Sequence, residues 1–343
     1  MNLLIIGCNG FIGSHLSEYI IDNTDWKVTG VDLYENNISG LTEQPNFVFM
    51  CLDITKNLQH LSEEIAKCDL VIPLAAIANP KIYIDDPLKV FELDFEANLF
   101  IVRECVRHGK RLIFPSTSEV YGLCEDEYFD EEASNLTLGP INKTRWMYSS
   151  SKQLLDRVIW AYKDEGLDFT IFRPFNWVGP RLDNIHSKKK ESRVITQFLG
   201  NIMRQEPIEL VSGGEQKRAF TDFRDGIDAL VKIISNQADS NHKIVNIGNP
   251  ENEFSVRQLA LMLVSEFHEH EGLKHLVENI ELKCVRPESF YGEGYQDVTR
   301  RVPNIEIMRS ISGWTPRYQL SETVSLVMSY YLKKGTFDNH ASN

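Results

Sequence analysis

The sequence predicts an α/β protein built on a doubly wound parallel sheet, with a smaller C-terminal lobe. In the first half of the chain, short apolar runs alternate with amphipathic helical segments, and this alternation is typical of βαβ units. The first apolar run leads straight into a glycine-rich turn and then a helical segment. The chain has 343 residues, which is more than one compact core usually holds, so we expect a large sheet domain and a second lobe.

Six apolar runs are expected to form the strands, because each has the length of a strand and is bounded by turn residues or helical segments. Strands joined by helical crossovers pair in parallel, so their carboxyl ends meet at one edge, where open α/β sheets bind ligands. From about Asn176 the pattern becomes irregular, and Gly179–Pro180 and Gly213–Gly214 separate shorter elements. We therefore expect a sheet domain over 1–175 and a lobe over 176–343, some segments of which return to the sheet. The six runs are Leu3–Gly7, Val28–Asp32, Phe47–Cys51, Leu70–Ala75, Arg111–Ser116 and Phe169–Phe172.

The charge and the cysteines exclude several classes of function. With 36 Lys+Arg and 49 Asp+Glu the formal net charge is -13, so the mean field repels a nucleic-acid backbone. The six cysteines form no C-x-x-C pair, and neither they nor the nine histidines have metal-ligand spacing, so we expect reduced thiols and no metal site. Neither a signal-peptide pattern nor a run of 18 apolar residues occurs. These features predict a cytoplasmic protein that binds neither nucleic acid nor membrane.

The segment Gly7–Gly13 has the spacing G-x-x-G-x-x-G between the first strand and its helix. Glycines there permit a tight turn and a close approach of backbone N–H groups to a pyrophosphate at the helix N-terminus, although a simple strand-to-helix turn is the alternative. Asp32 ends the next strand, where a carboxylate bonds both ribose hydroxyls and repels a 2′-phosphate, which favours NAD over NADP. Asp53 follows the third strand and is a candidate for the adenine edge or, equally, for a helix N-cap ahead of Thr55.

A second motif places Tyr148 and Lys152 four residues apart, on one face of a predicted helix. A nearby ammonium lowers the pKa of a phenol, and a phenolate accepts a proton from an alcohol. The strand that precedes this helix ends in Thr117, Ser118 and Glu119, at the edge where ligands bind. Two hydroxyls and a carboxylate are therefore expected near the phenol, although Glu119 also reads as a solvated loop acid or a cap.

Together these motifs resemble the extended short-chain dehydrogenase/reductase family that acts on nucleotide sugars. The resemblance rests on the glycine turn, Asp32, the strand end Ser116–Gly122, the Y-x-x-x-K pair and Arg173–Pro174. It extends to Arg218–Asp225, which is similar to the family's R-x-F-x-x-x-x-D segment, and to the N-x-G turn at Asn246–Asn249. It implies a Rossmann domain over 1–175 that binds NAD and carries the catalytic pair, followed by a mainly substrate-binding lobe.

The residues at the end of the predicted strand, Thr117–Glu119, indicate one subfamily. Ser118 stands where the family's 4,6-dehydratases have an aspartic acid, and simple 4-epimerases typically lack a glutamate at the position of Glu119. The Thr-Ser-Glu pattern is that of the UDP-glucuronic acid decarboxylases. Four stretches are more specifically similar to the decarboxylase domain of the bifunctional polymyxin-resistance proteins of the ArnA family, and we expect that domain to stand here without the formyltransferase domain. These stretches are Phe91–Phe95, Ser149–Tyr162, Phe172–Asn184 and Gly294–Val298.

The resemblance implies an NAD-dependent oxidative decarboxylation of UDP-glucuronate to a UDP-4-keto-pentose, CO2 and NADH. Tyr148 would accept the proton of the 4-hydroxyl while Thr117 or Ser118 orients the sugar. The resulting β-keto acid would lose CO2, with Glu119 as acid or base and Arg301 as proton donor or carboxylate ligand. Arg300 is the neighbouring alternative to Arg301.

The resemblance also implies which residues hold each ligand. The catalytic residues would be Tyr148, Lys152, Glu119, Ser118, Thr117 and Arg301. The cofactor-binding residues would be Gly7, Asn9, Gly10, Phe11, Ile12, Gly13, Asp32, Asp53, Ile54, Leu74, Ala75, Tyr148 and Lys152. The substrate-binding residues would be Ala78, Tyr83, Thr117, Ser118, Asn176, Arg193, Arg218 and Tyr295.

Three other functions share these residues. A UDP-xylose synthase would return the hydride to carbon 4, and another NAD-dependent nucleotide-sugar epimerase or dehydratase would stop short of decarboxylation. A module that retains NAD without turnover is the alternative outside the enzymes, and the intact Tyr148, Lys152 and Glu119 argue against it.

Relatives of this kind commonly form homodimers through two helices on one side of the sheet, so we expect a homodimer. The candidate segments are Asp86–His108 and Tyr148–Asp164, and their apolar positions serve equally well as core. These positions are Val90, Phe91, Leu93, Leu154, Leu155 and Val158.

Overall fold

The computed structural model describes residues 1–187 and 192–338. The strands are β1 (Asn2–Ile6), β2 (Lys27–Asp32), β3 (Phe47–Cys51), β4 (Leu70–Pro73), β5 (Arg111–Pro115), β6 (Phe169–Pro174), β7 (Trp177–Val178), β8 (Ile208–Val211), β9 (Lys217–Ala219), β10 (Thr221–Asp222), β11 (Lys243–Ile247), β12 (Glu253–Ser255), β13 (Leu282–Val285) and β14 (Arg300–Arg301). The helices are α1 (Phe11–Asn23), α2 (Leu58–Lys67), α3 (Pro80–Asp85), α4 (Pro87–Phe91), α5 (Asn98–His108), α6 (Trp146–Ala161), α7 (Val194–Met203), α8 (Phe223–Ser235), α9 (Gln237–Ser240), α10 (Val256–Glu269), α11 (Pro287–Tyr291), α12 (Glu306–Ser312) and α13 (Leu320–Asp338).

Seven strands form one parallel sheet in the order β11-β6-β5-β4-β1-β2-β3. This order confirms the predicted doubly wound sheet, and each of the six predicted strands is present within two residues of its expected ends. Gly7 was expected to end the first strand and instead lies in the turn, because its φ of 87° is not a strand conformation. The seventh strand, β11, comes from the C-terminal half of the chain and pairs with β6 at the edge. The sequence did not mark it as a strand because only part of its length is apolar.

The sheet is buried on both faces, as the near-continuous apolar strands require. Leu3 and Ile5 of β1 belong to one hydrophobic core, and Leu4 and Ile6 belong to the core on the opposite face. Helices α1, α8 and α12 pack on the first side, and α2, α5 and α6 pack on the second. Helix α6, which carries the Tyr-Lys pair, is thereby fixed to the central sheet.

Smaller sheets follow β6 in the chain. Strands β12, β9 and β14 form a three-stranded sheet, β10 pairs with β7, and β13 pairs with β8. Strands β9 and β14 are parallel, and their register places Arg301 opposite Arg218. Two arginines that are distant in sequence therefore become neighbours.

Helices α4 and α5 are joined by a π-helical turn over Glu92–Ala97. The Asn98 side chain donates a hydrogen bond of 2.9 Å to the carbonyl of Leu93, which helps to hold this wider turn. Asp94 is completely buried within the turn, although the acids on either side, Glu92 and Glu96, are exposed. Single π turns of this type are frequent at functional sites.

The apolar positions of the expected dimer helices divide into core and surface. Val90 and Leu155 are completely buried, whereas Leu88, Leu154 and Trp160 are 67%, 49% and 46% exposed. The homodimer stays a prediction.

In the described ranges, no group of three or more His, Cys, Asp or Glu side chains is placed to hold a metal ion. None of the helices described has both the length and the apolar character needed to span a bilayer.

Candidate active site

A cavity of about 930 Å³ lies at the carboxyl ends of β1, β4 and β5 and extends to the smaller sheets. The structure brings most of the predicted site residues together around this cavity. Those that line it are Gly7, Gly10, Phe11, Ile12, Gly13, Leu74, Ala78, Tyr83, Thr117, Ser118, Glu119, Tyr148, Lys152, Asn176, Arg193, Arg218, Tyr295 and Arg301. Those that do not are Asn9, Asp32, Asp53, Ile54 and Ala75.

The glycine turn has the shape that a dinucleotide pyrophosphate requires. A Cβ on Gly7 would lie 2.5 Å from the backbone nitrogen of Ala75, and one on Gly13 would collide with the carbonyl of Gly7. Helix α1 begins with Gly10 as its N-cap, without a capping side chain and without an acid in its first turn. Its first backbone N–H groups therefore remain available to an anion, which the helix dipole also favours.

Asp32 is fixed at the end of β2 beside this turn. One carboxylate oxygen accepts a hydrogen bond of 2.9 Å from the backbone of Asn9, and the other accepts one of 2.7 Å from the backbone of Leu33. The side chain of Asn9 in turn accepts from the backbone of Asn37, which lines the cavity. The acid is thus held next to the turn, as a ligand to ribose hydroxyls requires.

Replacing Asp32 with asparagine is expected to weaken the preference for NAD over NADP. Asparagine keeps one acceptor oxygen for the turn but removes the charge that repels a 2′-phosphate. Because a hydrogen bond to a charged group contributes about 1.5–3 kcal/mol, the ratio of the Kd for NADP to the Kd for NAD should fall at least about tenfold. Calorimetric titration with both cofactors measures this ratio, and Asp22→Asn, on the exposed face of α1, is the control. An unchanged ratio would remove Asp32 from the ribose site.

Asp53 forms the contacts of a capping residue ahead of Thr55, which was the alternative to a role at the adenine. Its carboxylate accepts hydrogen bonds from the backbone and hydroxyl of Thr55, at 3.0 and 2.7 Å, and pairs with Lys56. The hydrogen bonds from Thr55 and Lys56 lower the pKa of this carboxyl to about 2. These contacts and its position outside the cavity favour a turn cap, so the role at adenine remains a prediction.

Tyr148 and Lys152 occupy the floor of the cavity on α6. The Tyr148 ring stacks on Tyr83 with centroids 4.7 Å apart, and the ammonium of Lys152 donates to the carbonyl of Pro115 at 3.1 Å. We expected a low pKa for Tyr148 beside Lys152, whereas the pKa of this phenol is raised. Burial raises the pKa of Tyr148, and the charges of Asp94 and Glu119 raise it further. The ammonium lies 6.0 Å from the phenol ring centroid and is compensated by Asp94 at 3.6 Å.

Glu119 lies between two guanidinium groups. Arg301 donates to one of its oxygens at 2.8 Å, and Arg145 donates to the other. Burial alone would raise the pKa of this carboxyl, but Arg301 and then Arg145 outweigh burial and lower it to about 2. A lowered pKa favours an ionised Glu119 at neutral pH, which suits a base or an anchor, and its role in the reaction stays a prediction.

The structure also distinguishes the two neighbouring arginines. Arg300 turns outward and pairs with Glu253 at 2.7 Å, whereas Arg301 is 4% exposed and also reaches the hydroxyl of Ser118 at 3.4 Å. Arg301 is the one that lies in the cavity.

Sequence reasoning missed Arg145 and Asp94. Arg145 is 3% exposed and lies over the rings of Trp146 and Tyr295, with its guanidinium carbon 4.3 and 5.3 Å from their centroids. Its position three residues before Tyr148, which places it on the same helical face, is the signal that could have found it. Asp94 lies within Phe91–Phe95, one of the stretches that carry the resemblance, but nothing in the sequence separates it from the neighbouring acids Glu92 and Glu96.

Other predicted substrate residues form the remaining wall. Arg218 pairs with Asp297 at 2.9 Å, and Arg193 pairs with Asp183 at the same distance. Asn176 has a φ of 40° and donates to the carbonyl of Ala219 at 3.2 Å. This side of the cavity is therefore polar and carries several cations.

Comparison with known proteins identifies the family. Residues 3–248 match the model of the NAD dependent epimerase/dehydratase family. The chain is 49% identical to the PbgP3 protein from Burkholderia pseudomallei, over 96% of each chain, with a TM-score of 0.88.

Two structures share the fold at lower identity. UDP-glucuronic acid 4-epimerase from Bacillus cereus, solved with UDP-glucuronic acid and NAD, is 22% identical over 97% of this chain and 100% of that one (TM-score 0.79). dTDP-glucose 4,6-dehydratase from Bacillus anthracis, solved with NAD, is 21% identical over 97% of each chain (TM-score 0.78). The chain belongs to the NAD dependent epimerase/dehydratase family, and its cofactor is NAD.

Proposed function

We propose that the protein oxidises carbon 4 of UDP-glucuronate with NAD and releases a UDP-4-keto-pentose, CO2 and NADH. The observation that carries this proposal is the arginine cluster around Glu119, in the same cavity as Tyr148. A substrate that carries a carboxylate next to its reacting alcohol suits such a site.

The charges of the cluster support an anionic sugar. Arg145, Arg218 and Arg301 bring three positive charges, and Glu119 and Asp297 bring two negative ones. The cluster therefore has one more positive than negative charge, and one substrate carboxylate would balance it. Guanidinium and carboxylate groups form strong charge-assisted hydrogen bonds. The fold already accommodates this ligand in the Bacillus cereus epimerase, whose structure contains UDP-glucuronic acid.

The oxidation is assigned to the Tyr-Lys pair. When bound, NAD supplies the hydride acceptor and a positive charge, and the glycine turn with Asp32 holds it. Tyr148 in its ionised form accepts the proton of the 4-hydroxyl, and the nearest cation on its own helix is Lys152, whose ammonium lies 6.0 Å from the ring centroid. Thr117, which forms a hydrogen bond with the phenol, orients the sugar.

The decarboxylation follows from the ketone. A β-keto acid loses CO2 because the carbonyl accepts the electrons of the breaking bond, and the protonated Tyr148 then donates a hydrogen bond to the developing oxyanion. Arg301 binds the carboxylate before the bond breaks. The enolate that remains takes a proton at carbon 5 from Arg301 or from water, and the proton that Tyr148 accepted from the 4-hydroxyl balances this step. Glu119 holds Arg301 and Arg145 in place.

The test is to incubate the protein with UDP-glucuronate and excess NAD, follow NADH by absorbance and identify the sugar nucleotide by NMR. We expect one NADH for each UDP-4-keto-pentose. UDP-glucose, which carries a neutral hydroxymethyl group in place of the carboxylate, is the matched control and should react at least about tenfold more slowly because the arginine cluster gains no anionic partner. UDP-xylose with little net NADH would make the protein a synthase, and UDP-galacturonate would make it an epimerase. Equal rates with both substrates would contradict the role of the cluster.

A further inference from the structure

Asp94 is a buried acid that the mechanism above does not use. It is completely buried in the π turn, and one of its oxygens accepts a hydrogen bond of 3.0 Å from the backbone of Ile77. The other oxygen has no hydrogen-bond partner among the described residues and faces the ammonium of Lys152 at 3.6 Å. A carboxylate costs a great deal to bury unless its charge is used.

We infer that Asp94 is a positioning residue, the counter-ion that keeps Lys152 protonated and in place and so sets the pH range over which Tyr148 accepts a proton. The inference rests on the proposed role of the Tyr-Lys pair in alcohol oxidation, and it does not depend on which sugar nucleotide is the substrate.

Lys152 needs such a partner because it is only 1% exposed. Its ammonium donates to the carbonyl of Pro115 and lies 4.9 Å from the ring centroid of Phe114, and neither group carries a full negative charge. Burial lowers the pKa of Lys152, and the charge of Asp94 is the largest influence that opposes this. Without Asp94 a buried ammonium tends to lose its proton.

The other ionisable groups around the pair are committed elsewhere. Asp156, one turn along α6, pairs with Arg173 at 3.0 Å and accepts from Ser116 at 2.8 Å. Glu119, on the turn after β5, is held by its two arginines. Tyr83, from α3, stacks on Tyr148 as a neutral ring, since burial raises its pKa. In the described part of the chain, Asp94 is therefore the carboxylate whose charge is directed to Lys152.

Asp94 also connects two walls of the cavity. Ile77 follows β4 and lines the cavity, while Lys152 forms its floor on α6. The same carboxylate contacts both, so the π turn sets the distance between them. An α-helical turn would orient the side chain of residue 94 differently, so the π turn is what allows Asp94 to contact both groups.

The first test is the pH profile of NADH formation by Asp94→Asn, which keeps the shape of the side chain. Loss of the negative charge eases the ionisation of Tyr148 and the deprotonation of Lys152, so both limbs of the profile should move to lower pH by about one unit. Glu96→Gln removes an acid from the exposed side of the same turn and should leave the profile in place. A lower rate with unmoved limbs would overturn the inference.

The second test is a thermal-melting cycle without substrate, on Asp94→Asn, Lys152→Met and the double variant. Each single change leaves a buried charge unpaired, so each should lower the melting temperature, and the double variant should recover part of the loss. Additive losses would overturn the inference even if Asp94→Asn were inactive. Absence of NADH formation by the unaltered protein would instead contradict only the proposed function.

Discussion

Tyr148→Phe is expected to lower kcat for NADH formation by about 10³-fold or more, because it removes the group that we propose accepts the proton of the alcohol. Phenylalanine keeps the ring that stacks on Tyr83, so the cavity should keep its shape. We therefore expect the Kd values of NAD and UDP-glucuronate to change by less than about threefold, since the loss belongs to the transition state and not to binding.

Stopped-flow measurement of the first turnover, together with calorimetric binding of both ligands, checks this prediction. Tyr19→Phe removes a hydroxyl from a tyrosine of α1 that does not line the cavity, and it should keep the full rate. If Tyr148→Phe retained a tenth of the activity, another group would have to accept the proton.

Arg301→Gln should cost about 10²–10³-fold in kcat with UDP-glucuronate, the range measured when one preorganised donor is removed from an active site. The substitution cancels the excess positive charge of the cluster and leaves the partly buried Glu119 paired with Arg145 but not with residue 301. NAD binding should be unchanged, because the glycine turn and Asp32 do not contact this cluster.

Arg300→Gln is a closely matched control, since it makes the same substitution at the residue directly before Arg301. Its guanidinium forms a partly exposed pair with Glu253, and such pairs contribute little, so the rate should stay within about twofold. Parallel assays of NADH and CO2 with both variants separate the two arginines. Equal losses would show that neither position is specific to the carboxylate.

Much of the fold could be predicted because it depends on local signals. A parallel sheet buried on both faces requires apolar runs, and the turn at Gly7 and Gly13 requires glycine. Strand β11 was not predicted, because its apolar run is interrupted by Asn246.

The chemistry of the site was less predictable because it depends on groups brought together by the fold. The low pKa of Glu119 comes from arginines 26 and 182 residues away in sequence. The raised pKa of Tyr148 comes from burial and from Asp94, which reads in sequence as one of several surface acids on a helix. Residue type and spacing therefore predicted which side chains meet, while the sign of their pKa shifts required the distances.

The pairing of β9 with β14 bears on how proteins of this kind diversify. Tyr148 and Lys152 stand on a helix fixed to the central sheet, whereas Arg218 and Arg301 face each other on two short strands outside that sheet. With the roles proposed above, a substitution in either strand would alter which sugar is bound without moving the groups that accept its proton. Substrate range could thus change by point mutation while the oxidative step is kept.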